Sequence, residues 1–182
     1  GYGTYNMPPG TWSDDSSMTI ATIASIVNKQ AIDYNDLMCE FLEWIDKGKY
    51  TQYHDTFDYG RTTINGLYNY KKGVNPLECG GTGDRDNGNG SLMRILPLAF
   101  IPDIDYESIE NISGLTHRHL RSKISCVFYV EIARSMMEND LNLDTVIGVS
   151  AGALGGMNYT SGQIGRAARI NLIYRHDSRY VG

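Results

Sequence analysis

The sequence predicts an all-α protein. Apolar residues recur at helical spacing in window after window, no stretch alternates apolar with polar for more than a few residues, and Gly or Pro stands where those windows stop. The first helix starts at Ser13, where Ser-Asp-Asp supplies an N-cap and first-turn acids, and continues through an apolar stripe of Ile20, Ala21, Ile23, Ala24 and Val27. A second carries Leu37, Met38, Phe41, Leu42 and Ile45 and stops at Gly48. A third runs from Arg61 to Lys72 before Gly73. A fourth starts at Ser91 and passes Leu92, Ile95 and Leu98, with Pro97 ending or kinking it. The longest runs from His117 to Glu138, with Leu120, Ile124, Val127, Phe128 and Ile132 facing inward. Beyond Asp144, Gly148, Gly152 and Gly156 stand four apart, a small-residue ridge that suits close helix packing. Tyr-rich loops, drawing on 13 Tyr against 4 Phe, connect the helices.

Composition narrows the function classes. In 182 residues, 16 Lys+Arg face 21 Asp+Glu, a net charge of -5. That balance excludes a general nucleic-acid binder, whose affinity rests on clustered cations. The 41% hydrophobic and 20% charged content is that of a globular domain, and the length supports one core without disulfide or structural metal. No apolar run reaches the roughly 18 to 20 residues that span a bilayer, and no basic-then-apolar leader opens the chain. Cys39, Cys79 and Cys126 are odd in number and in no metal-knuckle spacing, which suits a reducing compartment, so a cytoplasmic location is expected. The chain opens at Gly1 without Met, and a preceding segment is expected.

Three polar clusters stand out. Ser13-Asp14-Asp15-Ser16-Ser17 reads either as a plain helix cap or as half of an oxygen cage for Mg²⁺, Mn²⁺ or Ca²⁺. The stretch from Gly80 to Ser91 is too polar and glycine-rich for core. It lacks the Gly-Lys-Ser/Thr of a phosphate loop, the third glycine of a dinucleotide fingerprint and the sixth-position glycine of a calcium loop. What remains is either a surface loop or a glycine turn feeding a helix start, suited to a phosphate or a ribose hydroxyl. Thr116-His117-Arg118-His119 is weaker, since a helical zinc pair needs His at i and i+4.

In their order along the chain these pieces are more specific than any one alone. Pro9-Gly10-Thr11-Trp12-Ser13-Asp14-Asp15-Ser16-Ser17-Met18-Thr19 resembles the metal-binding segment of the ADP-ribosylglycohydrolase family. Tyr50-Thr51, Phe57 to Thr63, Asn87-Gly88-Asn89-Gly90-Ser91-Leu92-Met93-Arg94, Thr116-His117 and Asp144-Thr145-Val146 follow in the family's order, so the resemblance covers residues 1 to 157. It implies a compact single-domain all-α fold over residues 1–182. It also implies that the family's N-terminal Gly-Asp-Ala-Leu-Gly segment and a segment near 140–144 are lacking here.

The same resemblance implies a hydrolase that cleaves the glycosidic bond between ADP-ribose and an acceptor with two divalent cations, Mg²⁺ or Mn²⁺. Ser13, Asp14, Asp15, Asp144 and Thr145 would be metal ligands. Asp14, Asp15 and Asp58 would be catalytic, and Asp58, Gly60, Asn87, Gly88, Asn89, Gly90, Ser91, Met93 and His117 would hold substrate, His117 at the pocket edge. The chemistry is consistent with these residue types, because an oxocarbenium-like transition state at the anomeric carbon is served by nearby carboxylates and by metal-activated water. The expected partner is an ADP-ribosylated protein or small molecule, with no membrane, and nucleic acid only as an ADP-ribosylated acceptor. The alternative is a catalytically inactive ADP-ribose-binding relative.

Overall fold

Helices account for all the regular structure in the computed structural model, which describes residues 4–138. The order is α1 (Asp14–Lys29), α2 (Tyr34–Lys47), α3 (Arg61–Lys71), 3-10 turns at Pro76–Glu78, Leu92–Arg94 and Leu96–Phe100, then α4 (Tyr106–Gly114) and α5 (Leu120–Glu138). No strand occurs among the described residues, and Gly81 and His117 form an isolated parallel bridge, so the all-α class holds. No helix among them is long and apolar enough to cross a membrane.

Local chemistry fixes the clearest boundaries. The Asp33 side chain accepts from the Asn35 and Asp36 amides, both at 3.0 Å, and starts α2. Gly48 ends it at φ 63. A Cβ there would lie 2.2 Å from the backbone carbon of His54, so only glycine fits. Gly73 (φ +85) follows α3 as expected.

Three expectations change. The apolar stripe on α1 faces the core only in part: Ala21 is buried and Ala24 half-buried, but Ile20, Ile23 and Val27 are exposed, and Ser17, Met18, Thr22 and Ser25 complete the buried face. The hydroxyls on that inner face are satisfied locally, Thr22 donating to the Met18 carbonyl (2.9 Å) and Ser25 to Asp36 Oδ2 on α2 (2.7 Å). Small residues thereby line the side on which α1 packs against α2. The expected helix from Ser91 is instead the two 3-10 turns either side of Ile95, because Pro97 has no N–H to donate and restricts the residue before it. Finally, α5 begins at Leu120 rather than His117. Gly81 N–H donates to the Thr116 carbonyl (3.2 Å) and Arg118 N–H to the Gly81 carbonyl (2.9 Å), which diverts the backbone into the bridge.

The core gathers Met18, Leu37, Met38, Phe41, Trp44, Leu98, Ile109, Ile112 and Val127 between α1, α2, α4 and α5. Each such side chain, fully buried, contributes about 1.5 to 3 kcal/mol relative to exposure. On α5, Val127 and Ile132 are buried as expected, whereas Leu120, Ile124 and Phe128 are only half-buried. Together these contacts hold the start of α1, the start of α3 and the 88–93 loop around one cleft.

Candidate active site

A cleft of ≈ 390 Å³ is walled by the first turn of α1 (Asp14, Asp15), the segment from Asp58 to Thr63 entering α3, the loop residues Gly88, Asn89, Gly90 and Met93, and His117. Segments far apart in sequence therefore bring together Asp14, Asp15, Asp58, Gly60, Gly88, Asn89, Gly90, Met93 and His117. The other expected residues fall elsewhere. Ser13 stands with Asp15 on the wall of an adjoining hollow. Asn87 is half-buried off the cleft wall. Ser91 is fully buried, its Oγ accepting from Ser113 Oγ at 2.9 Å. Asp144 and Thr145 lie outside the described residues. The glycine loop leads into a three-residue 3-10 turn rather than an α-helix, so no helix dipole points at the cleft from there.

Electrostatically the cleft is an acid cluster beside a neutral imidazole. Burial, reinforced by the charges of Asp15 and Asp58, pushes the Asp14 carboxyl up to about 6, and burial together with Asp58 raises Asp15 as well. Asp58 sits in left-handed backbone (φ 62) and accepts a hydrogen bond from the Tyr5 hydroxyl at 2.5 Å. That bond is the main cause of the raised Tyr5 phenol. His117 is buried, and burial plus the positive charge of Arg94, against a weaker opposing pull from Asp86, lowers it to about 3. Its Nδ1 lies 2.9 Å from Thr116 Oγ1, and near neutral pH the ring is uncharged.

The family model for ADP-ribosylglycohydrolase matches residues 1–176. The chain belongs to the ADP-ribosylglycohydrolase family. Two relatives carry the name ADP-ribosylarginine hydrolase Tri1. The one from Serratia proteamaculans (strain 568) is 27% identical over 133 residues, covering 70% of this chain and 36% of the relative. The one from Pseudomonas putida (strain GB-1) is 29% identical over 103 residues, covering 54% of this chain and 26% of the relative. The chain thus spans about a third and a quarter of the lengths of these two glycohydrolases.

In this family member the structure also assigns positions that spacing did not single out. Arg94 is fully buried, with Nη1 donating to the Gly90 carbonyl (3.1 Å) and Nη2 to the Ile112 carbonyl and Thr116 Oγ1 (3.0 Å each). Its guanidinium lies 4.8 Å from the Phe41 ring centre, and burial lowers its pKa to about 10. One buried cation thereby anchors the glycine loop from below and cradles the residue before His117. The available signal was a lone charge inside Leu92-Met93-Arg94-Ile95-Leu96. Thr63 lines the cleft with a buried Oγ1 that has no hydrogen-bond partner in the protein. Such an orphan at a cleft wall suits a ligand hydroxyl.

Tyr50 ties the entrance together. It occupies left-handed backbone (φ 68), and its carbonyl accepts from Trp12 Nε1 (3.0 Å) and lies 3.1 Å from Ser17 Oγ. The strained residue is held through its hydroxyl, which donates to Glu40 on α2 at 2.6 Å.

Proposed function

We propose that this chain carries the hydrolytic site of an enzyme that removes ADP-ribose from arginine. The observation that carries the reading is the meeting of Asp14, Asp15 and Asp58 with the Gly88–Gly90 loop and a neutral His117 in one cleft. Family membership and the names of the two Tri1 relatives support the bond class and the acceptor.

Two divalent cations, Mg²⁺ or Mn²⁺, fit the donor chemistry: hard carboxylate oxygens, of which Asp14 is pushed toward protonation by burial and, after that, by its acidic neighbours. Among the described residues no group of three or more His, Cys, Asp or Glu side chains is placed to hold an ion by itself. Asp14 and Asp15 would supply the ligands of this half, with Ser13 beside them, and Asp144 and Thr145 would complete the set. When bound, the cations would offset the carboxylate charge and polarise water and ribose hydroxyls.

The protein's own groups do the rest. The Gly88–Gly90 loop, pinned by Arg94, would receive the ADP-ribose, with Thr63 and His117 supporting the loop from beneath. Asp58, held by Tyr5, places negative charge beside the anomeric carbon as it becomes cationic. A water oxygen adds to that carbon while the carbon–nitrogen bond breaks with its electron pair on nitrogen. Asp14 takes the proton that the water releases and passes it to the departing guanidine.

The decisive experiment is turnover of ADP-ribosylated arginine by the full chain at controlled Mg²⁺ or Mn²⁺. Asp14→Asn is expected to lower kcat by about 100-fold or more with the circular-dichroism spectrum intact. Full activity in that variant, or calorimetric ADP-ribose binding with no turnover by the wild type, rejects the hydrolytic reading.

A further inference from the structure

A second hollow of ≈ 660 Å³ adjoins the cleft, sharing Asp15 as a common wall, and beyond Asp15, Ser13 and the Tyr5 hydroxyl the proposed chemistry so far makes no use of its lining. The two spaces differ in kind. The cleft is bounded by glycine loops, hydroxyls and one cation, Arg61. The hollow is bounded by Tyr5, Trp12 and Phe57 with Met7 and two prolines, and among the described residues no Lys, Arg or His stands on its wall. Its aromatic wall is fixed in advance. The Trp12 indole is hydrogen-bonded to the Tyr50 carbonyl, the Tyr5 and Phe57 rings lie 5.5 Å apart at 46°, and Tyr5 is bonded through its hydroxyl to Asp58.

Rings held in this way, next to carboxylates and away from any competing cation, form a site for a flat, positively charged group on an apolar stem. We infer that this hollow is the acceptor subsite, receiving the arginine side chain and its flanking peptide while ADP-ribose occupies the cleft. The inference rests on the hydrolytic reading above. The scissile bond would then cross at Asp15, the residue common to both spaces. The hollow is open to solvent on one side, so an arginine can enter it with its flanking peptide attached.

The full chain, with its two tryptophans replaced by 5-fluorotryptophan, tests this. Of the two fluorine resonances the Trp12 signal is assigned by its loss in Trp12→Leu, and Trp44, buried in the core, serves as internal reference. Titration with acetyl-arginine-amide is expected to shift the Trp12 resonance saturably and leave Trp44 in place. Acetyl-norleucine-amide, which lacks the charge, is expected to bind about three- to ten-fold more weakly. In kinetics Trp12→Leu and Phe57→Leu should each raise KM for an ADP-ribosylated arginine peptide by about three- to ten-fold, with calorimetric ADP-ribose affinity held within about two-fold. If ADP-ribose binds the wild type while the arginine amide leaves Trp12 unmoved, the subsite assignment falls and the hydrolytic reading stands. If the arginine amide shifts Trp12 but neither variant changes KM, the assignment also falls. If ADP-ribose itself fails to bind, both fall together.

Discussion

Gly90 is where the packing of the cleft is easiest to challenge. A Cβ built there would lie 2.7 Å from His117 Cε1, 2.8 Å from Thr63 Oγ1 and 3.1 Å from His117 Nε2. Both neighbours are buried, and the ring is held at Nδ1 by Thr116. One methyl group must therefore displace the imidazole, the threonine or the loop itself, and the loop is tethered through the Gly90 carbonyl to Arg94. Overpacking of this kind costs about 1 to 3 kcal/mol. For a protein of this size that corresponds to a fall in Tm of roughly 2 to 10 °C. The informative control is Gly88→Ala, whose Cβ would meet only His117 Nε2 at 3.8 Å, an ordinary contact. Its stability should stay within about 0.5 kcal/mol of wild type. Urea denaturation and calorimetric titration with ADP-ribose, run on both variants, give the comparison. Gly90→Ala should lose stability and bind ADP-ribose less tightly, while Gly88→Ala keeps its stability. Equal stability and equal affinity in Gly90→Ala would refute the placement of His117 and Thr63 beneath this loop.

Other expectations follow from the same geometry. Arg94→Met leaves the Gly90 and Ile112 carbonyls and Thr116 Oγ1 without their donor, and should destabilise the fold by roughly 2 to 5 kcal/mol in urea melts; a variant as stable as wild type would show that the guanidinium is not the anchor. Asp14 has a folded-state pKa of about 6 against 3.8, so the folded state holds more protons than the unfolded one between those values. Stability should therefore fall as pH rises from about 4 to 6, and Asp14→Asn should remove that slope and gain up to about 3 kcal/mol above pH 6 in chelator. Denaturation midpoints that match at every pH would overturn the assigned burial of this carboxyl. Saturating Mg²⁺ or Mn²⁺ should raise the Tm of the wild type but not of Asp14→Asn or Asp15→Asn, by about 2.7 kcal/mol at 100-fold excess over Kd; a rise that is identical in all three places the ions elsewhere.

What could be read in the sequence was whatever local chemistry decides. Gly48 and Gly73 mark ends that backbone conformation imposes, and α2 and α3 lie where the periodicity puts them. Helix α4 escaped because its nine residues bury only two large aliphatic side chains, Ile109 and Ile112, too few for a visible period. On α1 the predicted stripe reaches the core through Ala21, while its larger members Ile20, Ile23 and Val27 are exposed and the smaller Ser17 and Ser25 are accepted instead. At the site, the ordered motifs pointed to Asp14, Asp15, Asp58, the glycine loop and His117, and the cleft gathers them. Arg94 and Thr63 were not assigned roles, since each acquires its meaning only from partners distant in the chain or from the lack of any. The meeting of Asp144 with Asp14 lies outside the described residues.

The Tyr50 carbonyl has a consequence for how the two spaces are kept in register. One peptide oxygen positions both the indole that walls the hollow and the serine that seats the opening turn of α1. On the proposed function, the arginine hollow and the carboxylates of α1 would both be gauged from a single fixed point, itself clamped by Glu40 on α2. Any change in α2 that lets Tyr50 relax to ordinary backbone would misalign both ends of the reacting bond at once.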